Sequence, residues 1–156
     1  MKLKNKNIWS VVMIIVIILI DQVSKYIIAI SFEIGEKLYI IGDWMKITYV
    51  QNRGVAFSMF SGNQFITIML TSILLIVCLA FIIKEKENKA LLIVLTCILG
   101  GGVGNLIDRI FRGYVVDMIS CGNFAVFNIA DIFVTCGCIL CAVYLLFFYK
   151  DDQKNE

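Results

Sequence analysis

The sequence predicts an all-α membrane protein, with four transmembrane helices and a small β-sheet on the outer membrane surface. Three observations carry that expectation. Of the 156 residues, 60% are hydrophobic and the mean hydropathy is +0.90, an apolar excess well beyond that of a water-soluble domain. Four apolar stretches approach or reach the roughly 20 residues needed to cross a bilayer. Between the first two, "KLYIIGDWMKITYV" reads as two short strands joined by a Gly-Asp turn. With no internal repeat and no room for a separate soluble module, residues 1–156 form a single domain.

In chain order, the first span covers about 8–30 and follows Lys2, Lys4 and Lys6. Its start is like that of a secretory signal peptide. The apolar core, however, runs on through Asp21 and Lys25 into "YIIAI" with no small-x-small cleavage site, so an uncleaved span is expected. The outer β region, 31–63, holds the hairpin and then "NRGVAFSMF" as a further extended piece. The second span covers 64–83 and the third 90–107. A second outer segment, 108–128, precedes the fourth span, 129–149. Lysines crowd the span ends at the N-terminus, at Lys84, Lys86 and Lys89, and at Lys150 and Lys154. The basic residues of the other side are spread over long segments. Both termini are therefore expected in the cytoplasm.

Composition excludes much chemistry. A net charge of +2 with no basic block gives no reason to expect nucleic acid. The chain has no histidine, so neither a Ser-His or Cys-His nucleophile pair nor an HExxH zinc site can be built. The six cysteines are 78, 97, 121, 136, 138 and 141. In the C-G-C-x-x-C run, Cys138 and Cys141 share a helix face while Cys136 points roughly away from Cys138. Packing residues are expected there, with no metal site, no cofactor and no disulfide framework.

What remains is a set of polar residues in costly places, since an ionisable group in a span costs about 2.5–3.5 kcal/mol on insertion scales. Asp21, Ser24 and Lys25 fall at i, i+3 and i+4, as an internal ion pair or a substrate contact. "GGGVGNLIDR" carries Gly100 and Gly104 as G-x-x-x-G, which suits close helix packing better than a phosphate cradle. Within it Asn105, Asp108 and Arg109 again fall at i, i+3 and i+4. "FNIAD" places Asn128 and Asp131 three apart at the start of the last helix. They could cap that helix and favour its dipole, or Asp131 could pair with Asp117, folded back from the adjoining segment. Two neighbouring carboxylates cannot both ionise cheaply, so one keeps a proton. One can then act as base on a water while the other polarises a carbonyl, which needs neither histidine nor metal.

Five blocks in register, "DQVSK" (21–25), "NRGVAF" (52–57), "GGVGNLIDR" (101–109), "VVDMI" (115–119) and "FNIAD" (127–131), resemble the signatures of the lipoprotein signal peptidases, or signal peptidase II. The resemblance covers nearly the whole chain. It implies an aspartic endopeptidase of the bacterial cytoplasmic membrane, active near the outer face. Its substrates would be diacylglyceryl-modified prolipoproteins, cut just before the lipidated lipobox cysteine. By motif position Asp117 and Asp131 would be the catalytic pair. Asn52, Gly54, Asn105, Arg109, Asn128 and Ala130 would line or support the site, with Asp21 and Lys25 supporting. Membrane lipids and prolipoproteins are the expected partners of a monomer. Val55, Met118 and Ala125 depart from the family pattern, and the 118–127 connection is shorter. The alternative is a small four-span transporter using the two aspartates as an ion or proton relay.

Overall fold

The computed structural model describes residues 3–54, 63–85 and 88–147. Val55 and the rest of the extended piece after Gly54 lie outside them, as do Lys2, Lys86, residues 148–149 of the fourth span, Lys150 and Lys154. Among the described residues seven elements follow in order: α1 (Leu3–Ser31), β1 (Lys37–Ile41), β2 (Met45–Asn52), α2 (Gln64–Lys84), α3 (Lys89–Arg112), β3 (Val115–Cys121) and α4 (Ile129–Phe147). All four helices are long and apolar enough to cross a membrane. The three strands form one antiparallel sheet in the order β1-β2-β3.

α3 is the axis of the bundle and packs against α1, α2 and α4. The glycine run makes this possible, because helices in lipid associate through close backbone approach and interhelical hydrogen bonds. Gly100 and Gly104 abut Ile17 and Asp21 of α1, Gly101 abuts the Ala130 carbonyl of α4, and Gly102 abuts Leu75 of α2. The expected packing role of G-x-x-x-G is therefore seen against α1, and the two intervening glycines serve the other neighbours. Away from α3 the helices turn large apolar side chains outward, among them Ile15, Leu19, Leu74, Leu140 and Leu146.

Two features differ from the sequence expectation. α3 does not end at 107 but continues to Arg112, so Asp108 and Arg109 are helical. It stops at Gly113, whose φ of +79° is the left-handed conformation that favours glycine and turns the chain toward β3. The segment holding Asp117 is itself a strand: β3 completes the sheet against β2, pairing Asp117 with Val50 and Val115 with Asn52. Val115, Val116, Asp117 and Met118 are all buried in succession, so β3 lacks the alternation that marks a half-exposed strand. The hairpin forms where "KLYIIGDWMKITYV" placed it. Ile28, Tyr49, Val116 and Met118 make the small core that joins the sheet to the end of α1.

Candidate active site

The site is assembled where β3 and the start of α4 meet. The chain leaves β3 through a turn at Gly122, and Phe127 then pairs back on the strand. Its carbonyl accepts from the Met118 and Ile119 amides at 2.9 and 2.8 Å, and its amide donates to the Ile119 carbonyl at 2.9 Å. That return sets Asn128 and Asp131 beside Asp117. Asn128 and Asp131 close a reciprocal cap on α4. The Asp131 amide donates to Asn128 Oδ1 at 2.9 Å, and the Asn128 amide donates to Asp131 Oδ2 at 3.1 Å. The cap and the site use the same two side chains.

Three side-chain amides surround the two carboxylates. Asp117 accepts from Asn52 Nδ2 at 2.9 Å and from Asn128 Nδ2 at 2.8 Å. Asp131 Oδ1 accepts from Asn105 Nδ2 at 2.7 Å. Each amide is oriented from behind by a donor to its oxygen. The Gly54 amide holds Asn52 Oδ1 at 2.9 Å, the Asp131 amide holds Asn128 Oδ1, and Lys25 Nζ holds Asn105 Oδ1 at 2.9 Å. Every nitrogen therefore faces a carboxylate. Arg109 tethers the loop by donating from Nη2 to the Gly54 carbonyl at 3.0 Å.

Below this cage lies a buried ion cluster. Lys25 Nζ sits 2.8 Å from Asp21 and 3.1 Å from Asp108, with all three side chains fully buried. Asp21 also accepts from the Ala130 amide at 3.0 Å, and Asp108 from the Val116 amide at 3.1 Å. The cluster thus grips the first turn of α4 and the body of β3, the two pieces that carry the carboxylates. The internal Asp21–Lys25 pair is present, whereas Ser24 donates to the Asp21 carbonyl and makes no side-chain link to the cluster. Asp108 had the helical spacing to Asn105 but was not singled out as a site residue. Gln22, which donates to Asp21, the Gly104 carbonyl and Asp108, carried no spacing signal at all.

Asp117 is 2% exposed. Burial, and next the charge of Asp131, push its carboxyl up to about 6, against the pull of the Asn52 and Asn128 hydrogen bonds. Both aspartates, with Asn52, Arg53, Asn105 and Arg109, line a cavity of about 1370 Å³ whose other walls are mostly apolar residues such as Leu74, Ile98, Phe127 and Ile132. Among the described residues, no three His, Cys, Asp or Glu side chains converge as a metal-binding group, and every buried side-chain nitrogen or oxygen has a partner.

Four spanning helices and a candidate site with two carboxylates facing a large, mostly apolar cavity define a polytopic membrane protein. The family model for signal peptidase (SPase) II matches residues 13–147. The lipoprotein signal peptidase of Lactococcus lactis subsp. lactis (strain IL1403) is 40% identical over 143 residues, covering 90% of this chain and 95% of that protein. That of Fusobacterium nucleatum subsp. nucleatum is 37% identical over 143 residues, covering 89% and 87%. That of Staphylococcus aureus (strain Newman) is 36% identical over 152 residues, covering 94% and 93%. A bacterial membrane enzyme solved by the in meso method at 2.3 Å resolution superposes with a TM-score of 0.85 at 35% identity, covering 94% of this chain and 91% of that one. The chain belongs to the signal peptidase II family and is a peptidase.

Proposed function

We propose that this peptidase is a membrane aspartic endopeptidase that removes the signal peptide from diacylglyceryl-modified prolipoproteins, cutting just before the lipidated cysteine. The observation that supports it best is the pair Asp117 and Asp131, held in one amide cage at the head of an apolar cavity. The lipid chains and signal helix of such a substrate would stay in the bilayer beside the cavity, and the scissile carbonyl would reach the carboxylates. Asp117, deeply buried and pushed toward the protonated form, is suited to donate a hydrogen bond to that carbonyl. Asp131 is suited to take the proton of the attacking water. Asn52, Asn105 and Asn128 would hold both groups without supplying protons. After addition, the proton gained by Asp131 would pass to the leaving amine as the C–N bond breaks, restoring a singly protonated pair.

The same reading places the protein in the bacterial cytoplasmic membrane with both termini in the cytoplasm and the site near the outer face, acting as a monomer. The lysine clusters at the far ends of the spans support that orientation. Purified chain incubated with a diacylglyceryl lipobox peptide should release the signal fragment, and Asp117→Asn and Asp131→Asn should not. Ion flux without any cleavage would favour the relay instead.

A further inference from the structure

Beside the large cavity the sheet forms a second, smaller hollow that the proposed hydrolysis does not use. It has a volume of about 190 Å³ and is lined by Lys37, Lys46, Thr48 and Ser120, with Gly35, Val50 and Val126 completing the wall. The register explains the convergence. Lys37 pairs with Thr48 across β1 and β2, Tyr39 with Lys46, and Lys46 with Ser120 across β2 and β3. All four polar side chains thus rise from one face, with the two lysines on a diagonal about 7–8 Å apart at the backbone. Val50 and Val126 also line the large cavity, so the two hollows adjoin.

Two lysines and two hydroxyl residues lining one small hollow offer donors suited to a tetrahedral oxyanion. Among the described residues neither lysine is held in a close ion pair. Lys46 lies 5.2 Å from the centre of the Tyr39 ring and 3.8 Å from Asp43, whose side chain is 94% exposed and gives weak compensation. Glu36, next to Lys37, turns instead to the Glu33 amide at 2.8 Å. Among the described residues Lys37 makes no ion pair.

The depth of the site selects the anion. β1 starts six residues after the end of membrane-spanning α1, and Ile34, Leu38, Ile40, Ile41 and Trp44 around it are all more than half exposed. An exposed apolar hairpin with a tryptophan at its turn belongs at the boundary of a bilayer, where lipid phosphates lie. We propose that Lys37, Lys46, Thr48 and Ser120 bind the headgroup phosphate of an anionic phospholipid beside the mouth of the cavity.

Trp44 stands at the hairpin turn and Trp9 is the other tryptophan of the chain, so a Trp9→Phe background isolates the reporter. In nanodiscs, brominated phosphatidylglycerol should quench Trp44 more strongly than brominated phosphatidylcholine at equal mole fraction. Lys37→Gln with Lys46→Gln should reduce that preference by about tenfold or more, at roughly 1 kcal/mol per surface lysine. Lys37→Arg with Lys46→Arg should keep it, which separates charge loss from misfolding. Equal quenching by the two lipids, or an undiminished preference in the Gln pair, overturns the proposal. Displacement of the lipid by inorganic phosphate would show a site for free phosphate, and displacement by an acidic peptide one for polypeptide; either overturns the lipid assignment. None of these readouts involves cleavage, so they stand or fall apart from the peptidase mechanism.

Discussion

Gly101→Ala tests whether the carboxylate pair depends on how closely α3 and α4 approach. A Cβ at this position would lie 2.5 Å from the Ala130 carbonyl oxygen and 3.0 Å from Val134 Cγ2. Backbone oxygen cannot swing aside. To reach the 3.4 Å at which ordinary contact begins, the first turn of α4 must retreat by about 0.9 Å. That turn carries Ala130 and Asp131 and is capped by Asn128, so the retreat separates Asp131 from Asn105 and from Asp117. Misplacing a reacting group by about 1 Å can cost about 100-fold in rate, and overpacking costs about 1–3 kcal/mol in stability. On a diacylglyceryl lipobox peptide in nanodiscs, kcat should fall by about 100-fold with KM changed far less, and the melting temperature should drop. Gly102→Ala is the comparison. Its Cβ meets a terminal methyl of Leu75, a flexible side chain on the opposite neighbour, so kcat should stay within a few-fold of wild type. Wild-type kcat in Gly101→Ala, with a native melting curve, would refute the reasoning.

Lys25→Met leaves Asp21 and Asp108 buried, with Arg112, 3.6 Å from Asp108, as the remaining ion-pair partner among the described residues. Breaking such a cluster should cost about 3–5 kcal/mol, and an unchanged thermal unfolding midpoint would contradict it. The raised pKa of Asp117 means the folded state binds its proton more tightly than the unfolded one. Its contribution to stability is therefore complete below about 3.8 and is lost as pH rises toward about 6, amounting to about 3 kcal/mol. Asp117→Asn should lose that slope, so the difference in melting temperature between the two proteins should itself change with pH across this window. The slope is the proper comparison, because an amide at 117 must set its NH2 against Asn52 or Asn128, whose oxygens are already engaged. A variant with all six cysteines changed to Ala or Ser, assayed in chelator, should cleave normally; lost activity in a folded protein would count against the carboxylate mechanism.

The parts of the fold that follow from period and composition were legible in the chain: the four apolar stretches, the hairpin around Gly42 and Asp43, and G-x-x-x-G. β3 was not, because a strand buried on both faces shows an unbroken VVDM run that alternation cannot flag. Asp108 and Arg109 read as loop because polar residues end the apolar stretch before the helix itself ends at Gly113. Spacing along single helices brought out Asp21 with Lys25 and Asn128 with Asp131. The link between these pairs runs through contacts 80 and 109 residues apart, Lys25 to Asn105 and Asp21 to the Ala130 amide, which no local pattern encodes. Nor could the sequence show that all three asparagine amides point nitrogen-first at the carboxylates, since that depends on what holds each oxygen.

The most direct test of the shared-proton pair is single-turnover cleavage of a diacylglyceryl lipobox peptide by Asp117→Asn and Asp131→Asn, with peptide binding measured on the same samples. Each substitution nearly preserves shape while removing the proposed acid or base. Both variants should lose cleavage by about 100-fold or more and keep peptide affinity within a few-fold. Wild type should give a bell-shaped pH–rate profile whose two apparent pKa values belong to the pair. Near-normal turnover in either variant would return that carboxylate to a purely structural role and contradict the account.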